Sequence, residues 1–271
     1  MLLLVLAAAA RAAEIRVVGS DLLGPAFGQA ATDLPRRRPS QPLVLELHGT
    51  RLGIEALTNG SAAVGLLLLP DGEKPPGDTL TARVVAWHVT VVAAPAAASV
   101  EKISLSELRA LFSSPPGPVT ASSGPLLAVA PDASPAWAHF RHRVLGRGQE
   151  TLSVRWQEND ARLADALRAT ARGLAIADAG IAREPGLKLL ALSAGPAGPA
   201  FPPTTEHVNS GQYPLRMPLW VVFRRSDTPR VLPFLKFLLG DEAAQALAGA
   251  GFMALPAGDR ARLADEFEEM R

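Results

Sequence analysis

The feature that most constrains this chain is an alternation of short apolar runs with amphipathic stretches, interrupted twice by a much longer β-rich run. Ile15 to Gly19 reads as a strand, Gly24 to Leu34 as a helix closed by Pro35, and Leu43 to His48 as a strand. Arg51 to Thr58 reads as a helix and Ala63 to Leu69 as an apolar strand. Strands separated by single helices at this spacing imply βαβ units and a mostly parallel sheet. The long runs are "TARVVAWHVTVVAA", Thr81 to Ala94, and "YPLRMPLWVVFRR", Tyr213 to Arg225. Each is long enough to leave one half of the molecule and enter another. The expected architecture is α/β and two-lobed, each lobe a mainly parallel sheet flanked by helices, with two crossovers. Residues 14–90 with 216–271 are expected in the first lobe and 91–215 in the second.

The segment between the crossings follows the same pattern. "ISLSELRALFSS" opens a helix with Ser104 as N-cap and Glu107, three residues on, as its capping-box partner. "GPLLAVAP" is a buried strand, and "SPAWAHFRHRVLG" a helix with Ser134 at its N-cap and Pro135 at N1. Asp160 to Arg172 reads as a helix and "GLAIADAGI" as a strand with a turn, followed by a Pro/Gly-rich loop from Leu192 to Pro203. After the second crossing, Ser226 to Pro229 start a helix that runs to about Leu239, Asp241 caps the next, and Arg260 to Met270 form an acidic amphipathic helix.

A chain of 271 residues with 48% hydrophobic content can bury one large core or two smaller ones. A net charge of +1 gives no electrostatic reason to bind nucleic acid. The basic clusters Arg36-Arg37-Arg38, Arg141-His142-Arg143 and Arg224-Arg225 read as solvated surface. One Tyr and four Trp argue against a base-stacking platform. The absence of cysteine excludes disulfides, thiolate metal sites, a cysteine nucleophile and a lipid-modified cysteine. Residues 2–10, "LLLVLAAAA", are too short to span a bilayer and lead into Ala10-Arg11-Ala12, a small-x-small pattern. Residues 1–13 are therefore expected to be a cleaved secretory signal, and the product a soluble periplasmic or secreted protein. No Lys or Arg precedes the apolar run, which leaves an upstream start or a buried strand as the alternatives.

The stretch "VLELHGTRLGIEALTNGSAAVGLL", Val44 to Leu67, is a strand feeding a helix whose first turn carries Gly49, Thr50, Arg51 and Gly53. Amides at a helix start point outward unpaired, and the helix dipole adds partial positive charge, so this turn suits an anion. Arg51 adds a cation with fork-shaped donors. Equally, Thr50 could be an N-cap and Arg51 a solvated residue.

Six stretches, taken in order, resemble the phosphate-binding proteins of ABC importers, a branch of the type II periplasmic binding proteins. They are "IRVVGSDLLGP", "HGTRLGIEALTNGSAAVGLL", "VVAAPAAASVEKISLSELRALFSS", "GLAIADAGI", "YPLRMPLWVVFRR" and "FLKFLLGDEAAQALAGAGFMALP". The resemblance covers nearly the whole chain after residue 13. It implies a soluble, monomeric binding protein that closes two lobes on a tetrahedral oxyanion or another small polar solute, with an ABC permease as partner and no cofactor.

The resemblance implies ligand contacts at Ser20 and Asp21 in the first loop, at Thr50, Arg51 and Gly53 at the second helix start, and at Ser134 in the second lobe. Asp21 can also be read as an N-cap, and an acid there would repel an anion. The family's Gly-Ser-Gly-x-Gly is Gly49-Thr50-Arg51-Leu52-Gly53 here, and its following aspartate is Ala63. Its Ser-Gly-Thr is Ser134-Pro135-Ala136, with no arginine upstream in that strand, and Pro135 has no N–H to donate. Charge-assisted bonds contribute about 1.5–3 kcal/mol each, so these losses remove roughly 6 kcal/mol, or over four decades of phosphate affinity. A structural or interaction module that kept this fold and lost its pocket is the rival reading.

No nucleophile elbow, phosphate loop or dinucleotide fingerprint is present. His139 and His142 could share a metal but read better as a basic face, and His48 and His88 read as satisfied structural histidines. No carboxylate pair stands out as an acid/base couple, so neither an enzyme nor a metal site is expected.

Overall fold

The computed structural model describes residues 14–37, 42–70, 72–75, 77, 79–113, 125–129, 134–146 and 154–271. The expected signal segment, residues 1–13, lies outside the described residues. Strand β1 (Ile15–Gly19) is flanked in parallel by β2 (Leu43–Glu46) and β3 (Val64–Leu68). Helix α1 (Gly24–Arg37) joins the first pair, and α2 (Thr50–Thr58) leads into β3. Strand β4 (Leu80–Pro95) then runs for 16 residues out of this arm. Into the second arm fall β5 (Lys102–Ser104), α3 (Leu105–Ser113), β6 (Leu126–Val129), α4 (Pro135–Phe140), β7 (Val154–Gln157), α5 (Asp160–Arg168) and β8 (Leu174–Asp178). A turn of π-helix, Arg141–Leu145, prolongs α4. β9 (Leu187–Leu189), β10 (Ala191–Ser193) and α6 (Thr205–Ser210) complete that arm. The chain returns through β11 (Arg216–Arg224) and ends with α7 (Thr228–Leu238), α8 (Asp241–Gly249), β12 (Phe252–Ala254) and α9 (Ala257–Glu269).

The strand order β2-β1-β3-β11-β4-β8-β6-β7 places two parallel arms on either side of an antiparallel centre. β4 changes partners along its length. Leu80 to Val89 pair with β11, Ala86 to His88 also with β12, and from Thr90 onward the partners are β8 and β9. The cores divide in the same place. One cluster gathers buried residues from Trp87 to Leu215, and the other Ile15 to Ala86 with Leu219 to Phe267.

Alternation along the first-arm strands explains its layers. Val17, Leu66, Leu68 and Val221 face α1 and the C-terminal helices, whereas Val18, Leu67 and Val222 face α2. On α1, Leu34 is part-buried against the same core that buries Phe27 and Ala31. Pro35 does not end that helix, which continues to Arg37. A proline forfeits its own amide bond and crowds the carbonyl four residues back, a disturbance confined here to the last turn, which the core contacts of Phe27, Ala31 and Leu34 outweigh.

The predicted capping box at α3 forms. The Ser104 amide donates to Glu107 at 2.8 Å and the Glu107 amide donates to the Ser104 hydroxyl at 3.2 Å. The hydroxyl and amide of Ser104 hold the Glu107 carboxyl below its ordinary pKa. Arg224, read as solvated, is instead half-buried: its guanidinium donates to the carbonyls of Leu57 and Ala62, closing the C-terminal end of α2. Replacing Ser104 with Ala is expected to cost about 1 kcal/mol, measured as a lowered urea midpoint with an unchanged slope.

Candidate functional site

The first-arm candidates converge at the C-terminal ends of β1 and β3, the edge of a parallel sheet where α/β folds bind ligands. The Gly49 amide donates to Gly19 O at 2.8 Å and the Ser20 amide to Leu66 O at 2.8 Å, which ties the loops after β1 and β2 to β3. Gly49 adopts φ +110, a conformation that favours glycine, and is the N-cap of α2 with no side-chain cap.

Thr50 is thus the first helical residue and not a cap. Its hydroxyl donates to Leu68 O at 3.2 Å and accepts from Leu68 N at 3.1 Å, so its proton serves the end of β3. Gly53 is buried for packing. A Cβ there would stand 3.0 Å from Gly19 Cα, so the glycine lets α2 lie directly on β1. What remains at the turn is electropositive. Among the described residues, the amides of Thr50, Arg51 and Leu52 have no hydrogen-bond partner, and the exposed Arg51 guanidinium makes no ion pair. Helix starts with unpaired amides attract anions.

Ser20, not Asp21, caps the turn that follows β1. Its buried hydroxyl accepts from Leu22 N at 3.3 Å, and Asp21 is exposed. In the second arm the buried Ser134 hydroxyl caps α4, accepting from Trp137 N at 3.1 Å. A hydroxyl that accepts one bond still has its proton to give. No described residue takes the proton of Ser20 or Ser134. No hydrogen bond among the described residues joins Ser134 to the first-arm group.

A second polar group lies where β4 changes partners. His88 is fully buried, with Nε2 2.6 Å from Asp178 Oδ1, and its Nδ1 has no partner among the described residues. Next to it His139 Nδ1 sits 2.9 Å from the Thr90 hydroxyl, and the buried Tyr213 hydroxyl donates to Thr90 O at 3.0 Å. His139, expected on a basic surface face with His142, is buried because α4 packs against β4 and β8. His48, read as a satisfied structural histidine, is instead exposed just after β2. Burial, with lesser help from His88, Arg143 and His142, pushes the His139 pKa down to about 3, while burial pushes that of Tyr213 up. Among the described residues no set of three His, Cys, Asp or Glu is arranged to hold a metal ion, and no helix is long and apolar enough to cross a membrane.

This architecture recurs in solved structures. A possible phosphate binding protein from Planctomyces limnophilus is 20% identical over 96% of this chain and 99% of its own, with a TM-score of 0.74. PstS from Borrelia burgdorferi is 14% identical over 89% of this chain and 98% of its own, at 0.69. An ABC-type phosphate transport receptor from Vibrio cholerae is 14% identical over 90% of this chain and 100% of its own, at 0.67. The fold is that of the periplasmic binding proteins. At these identities the likeness establishes fold alone. No protein-family model and no curated protein sequence matches the chain.

Two outcomes follow from this geometry. Ala at position 53 gains helix propensity of about 1 kcal/mol but its Cβ stands 3.0 Å from the Gly19 Cα, backbone that must shift to admit it, so Gly53→Ala is expected to destabilise by about 1–3 kcal/mol in urea unfolding. His139 takes its proton more readily when unfolded, since its folded pKa of about 3 lies below the ordinary 6.5. Its contribution to stability is complete above pH 6.5, falls as pH drops from there toward 3, and levels below. His139→Gln is expected to flatten the acid limb of the stability profile by up to about 1.4 kcal/mol per pH unit in that window, read from unfolding midpoints.

Proposed function

We propose that the protein is an exported solute-binding protein that closes two lobes, residues 14–90 with 216–271 and residues 91–215, on a small oxyanion or polar solute for delivery to an ABC importer. The observation that carries this reading is the start of α2, where three amides and the Arg51 guanidinium have no partner among the described residues. Ser20 supplies a hydroxyl proton from the same edge and Ser134 one from the opposite arm. Arg51 supplies a cation where the strand before Ser134 has none, because a guanidinium pairs two anion oxygens at once. The neighbours in fold are described as phosphate-binding and phosphate-transport proteins, in keeping with an anionic solute.

A second reading has its own observation. The Thr50 hydroxyl is committed to Leu68 and Gly53 to Gly19, so two of the six expected contact positions serve the scaffold, and Pro135 beside Ser134 has no amide to donate. On that reading the chain is a structural or protein-interaction module that kept the fold without a ligand.

Titration calorimetry against phosphate, sulfate and simple phosphonates separates the two. Binding by the wild type, weakened about tenfold to a hundredfold by Arg51→Gln, is expected if the α2 turn holds the anion. A folded wild type silent towards all of them supports the module, and binding indifferent to Arg51→Gln places the anion elsewhere.

A further inference from the structure

The place where β4 changes partners is also where the two halves touch through polar side chains. Val89 is the last β4 residue paired with first-arm strands, and Thr90 the first paired with β8. His88, on the first-arm side, reaches across to Asp178, the last residue of β8, at 2.6 Å. Gly251, at φ +79 between α8 and β12, lies against the same aspartate: a Cβ on it would come within 2.9 Å of Asp178 Cβ. Five residues beyond Asp178, the Arg183 guanidinium donates to Ala248 O at 3.2 Å, at the end of α8. Two short segments, 178–183 from one half and 248–252 from the other, thus grip each other beside the crossing strand.

We propose that these segments form a clamp that sets the angle between the halves, with the His88–Asp178 contact as its release point. The contact is asymmetric. Asp178 keeps 18% of its side chain exposed, so water can replace His88 as its partner. His88 has 0% exposure and, among the described residues, no other hydrogen-bond partner for either ring nitrogen. Opening therefore takes from the imidazole its one described partner, and as long as His88 stays buried that loss opposes the open arrangement. The 2.6 Å spacing leaves no room for a water between the imidazole and the carboxylate. The swing is carried by backbone torsion in β4 near Val89–Thr90 together with the returning chain, whose Leu215 O accepts from Thr90 N at 3.1 Å. The phenol of Tyr213, bonded to Thr90 O, pins the returning strand at the same level.

The clamp needs no ligand, so it is tested on the free protein and stands or falls apart from the proposed solute. Small-angle scattering and hydrogen exchange are compared for the wild type, Asp178→Ala and the milder, exposed Arg183→Ala. The expected result is a larger radius of gyration for Asp178→Ala, with exchange in residues 86–90 and 248–252 accelerated by roughly tenfold to a hundredfold relative to either sheet. Arg183→Ala is expected to shift both readouts the same way by less. Unchanged scattering, or exchange that rises equally across both cores, would overturn the clamp and leave His88–Asp178 as a contact of general stability. If Asp178→Ala does not fold, Arg183→Ala decides on the same two readouts.

Discussion

The backbone of β4 is the constraint on which the rest depends. One strand of 16 residues donates and accepts ladder bonds in both halves of the sheet, so neither core can form without fixing part of the other. Its amides and carbonyls are buried for most of that length and must be paired, first with β11 and β12, then with β8 and β9. Side chains that land on this strand inherit the same demand. His88 and Thr90 project where there is no water to satisfy them, and Asp178 and His139 are the partners that the fold brings there.

The α2 turn shows the opposite economy of polar groups. Its strand-facing donors are consumed by the scaffold: Gly49 on Gly19, Thr50 on Leu68, Gly53 pressed onto β1. Its outward amides and Arg51 are left over. A helix start that is anchored on one side and unpaired on the other has donors already fixed in direction, so pairing them costs little further freedom. The same anchoring gives the Thr50 proton to Leu68 O.

Much of the architecture was readable from residues alone. The helices at Thr50, Leu105, Pro135 and Asp160 begin within a residue or two of their cap signals, and Ser104 with Glu107 pairs as the spacing requires. The misses share a cause. Pro35 looked like a stop but lies inside α1, β12 was too short to show a period, and Asp241 is preceded by Gly240 as the cap. Short or punctuated elements are decided by what packs on them, and local pattern carries little of that information. Among the candidate site residues, Ser20, Thr50, Arg51 and Gly53 do share one edge, while Asp21 gave up the capping role to its neighbour.

What the sequence determined by itself was periodicity, caps and the two long strands, since these arise between residues a few positions apart. Which donors would be spent was decided only in three dimensions. Thr50 meets Leu68 from 18 residues away and His88 meets Asp178 from 90. A hydroxyl or an imidazole bonds whatever burial places beside it, and burial is a property of the assembled sheets, not of neighbours along the chain.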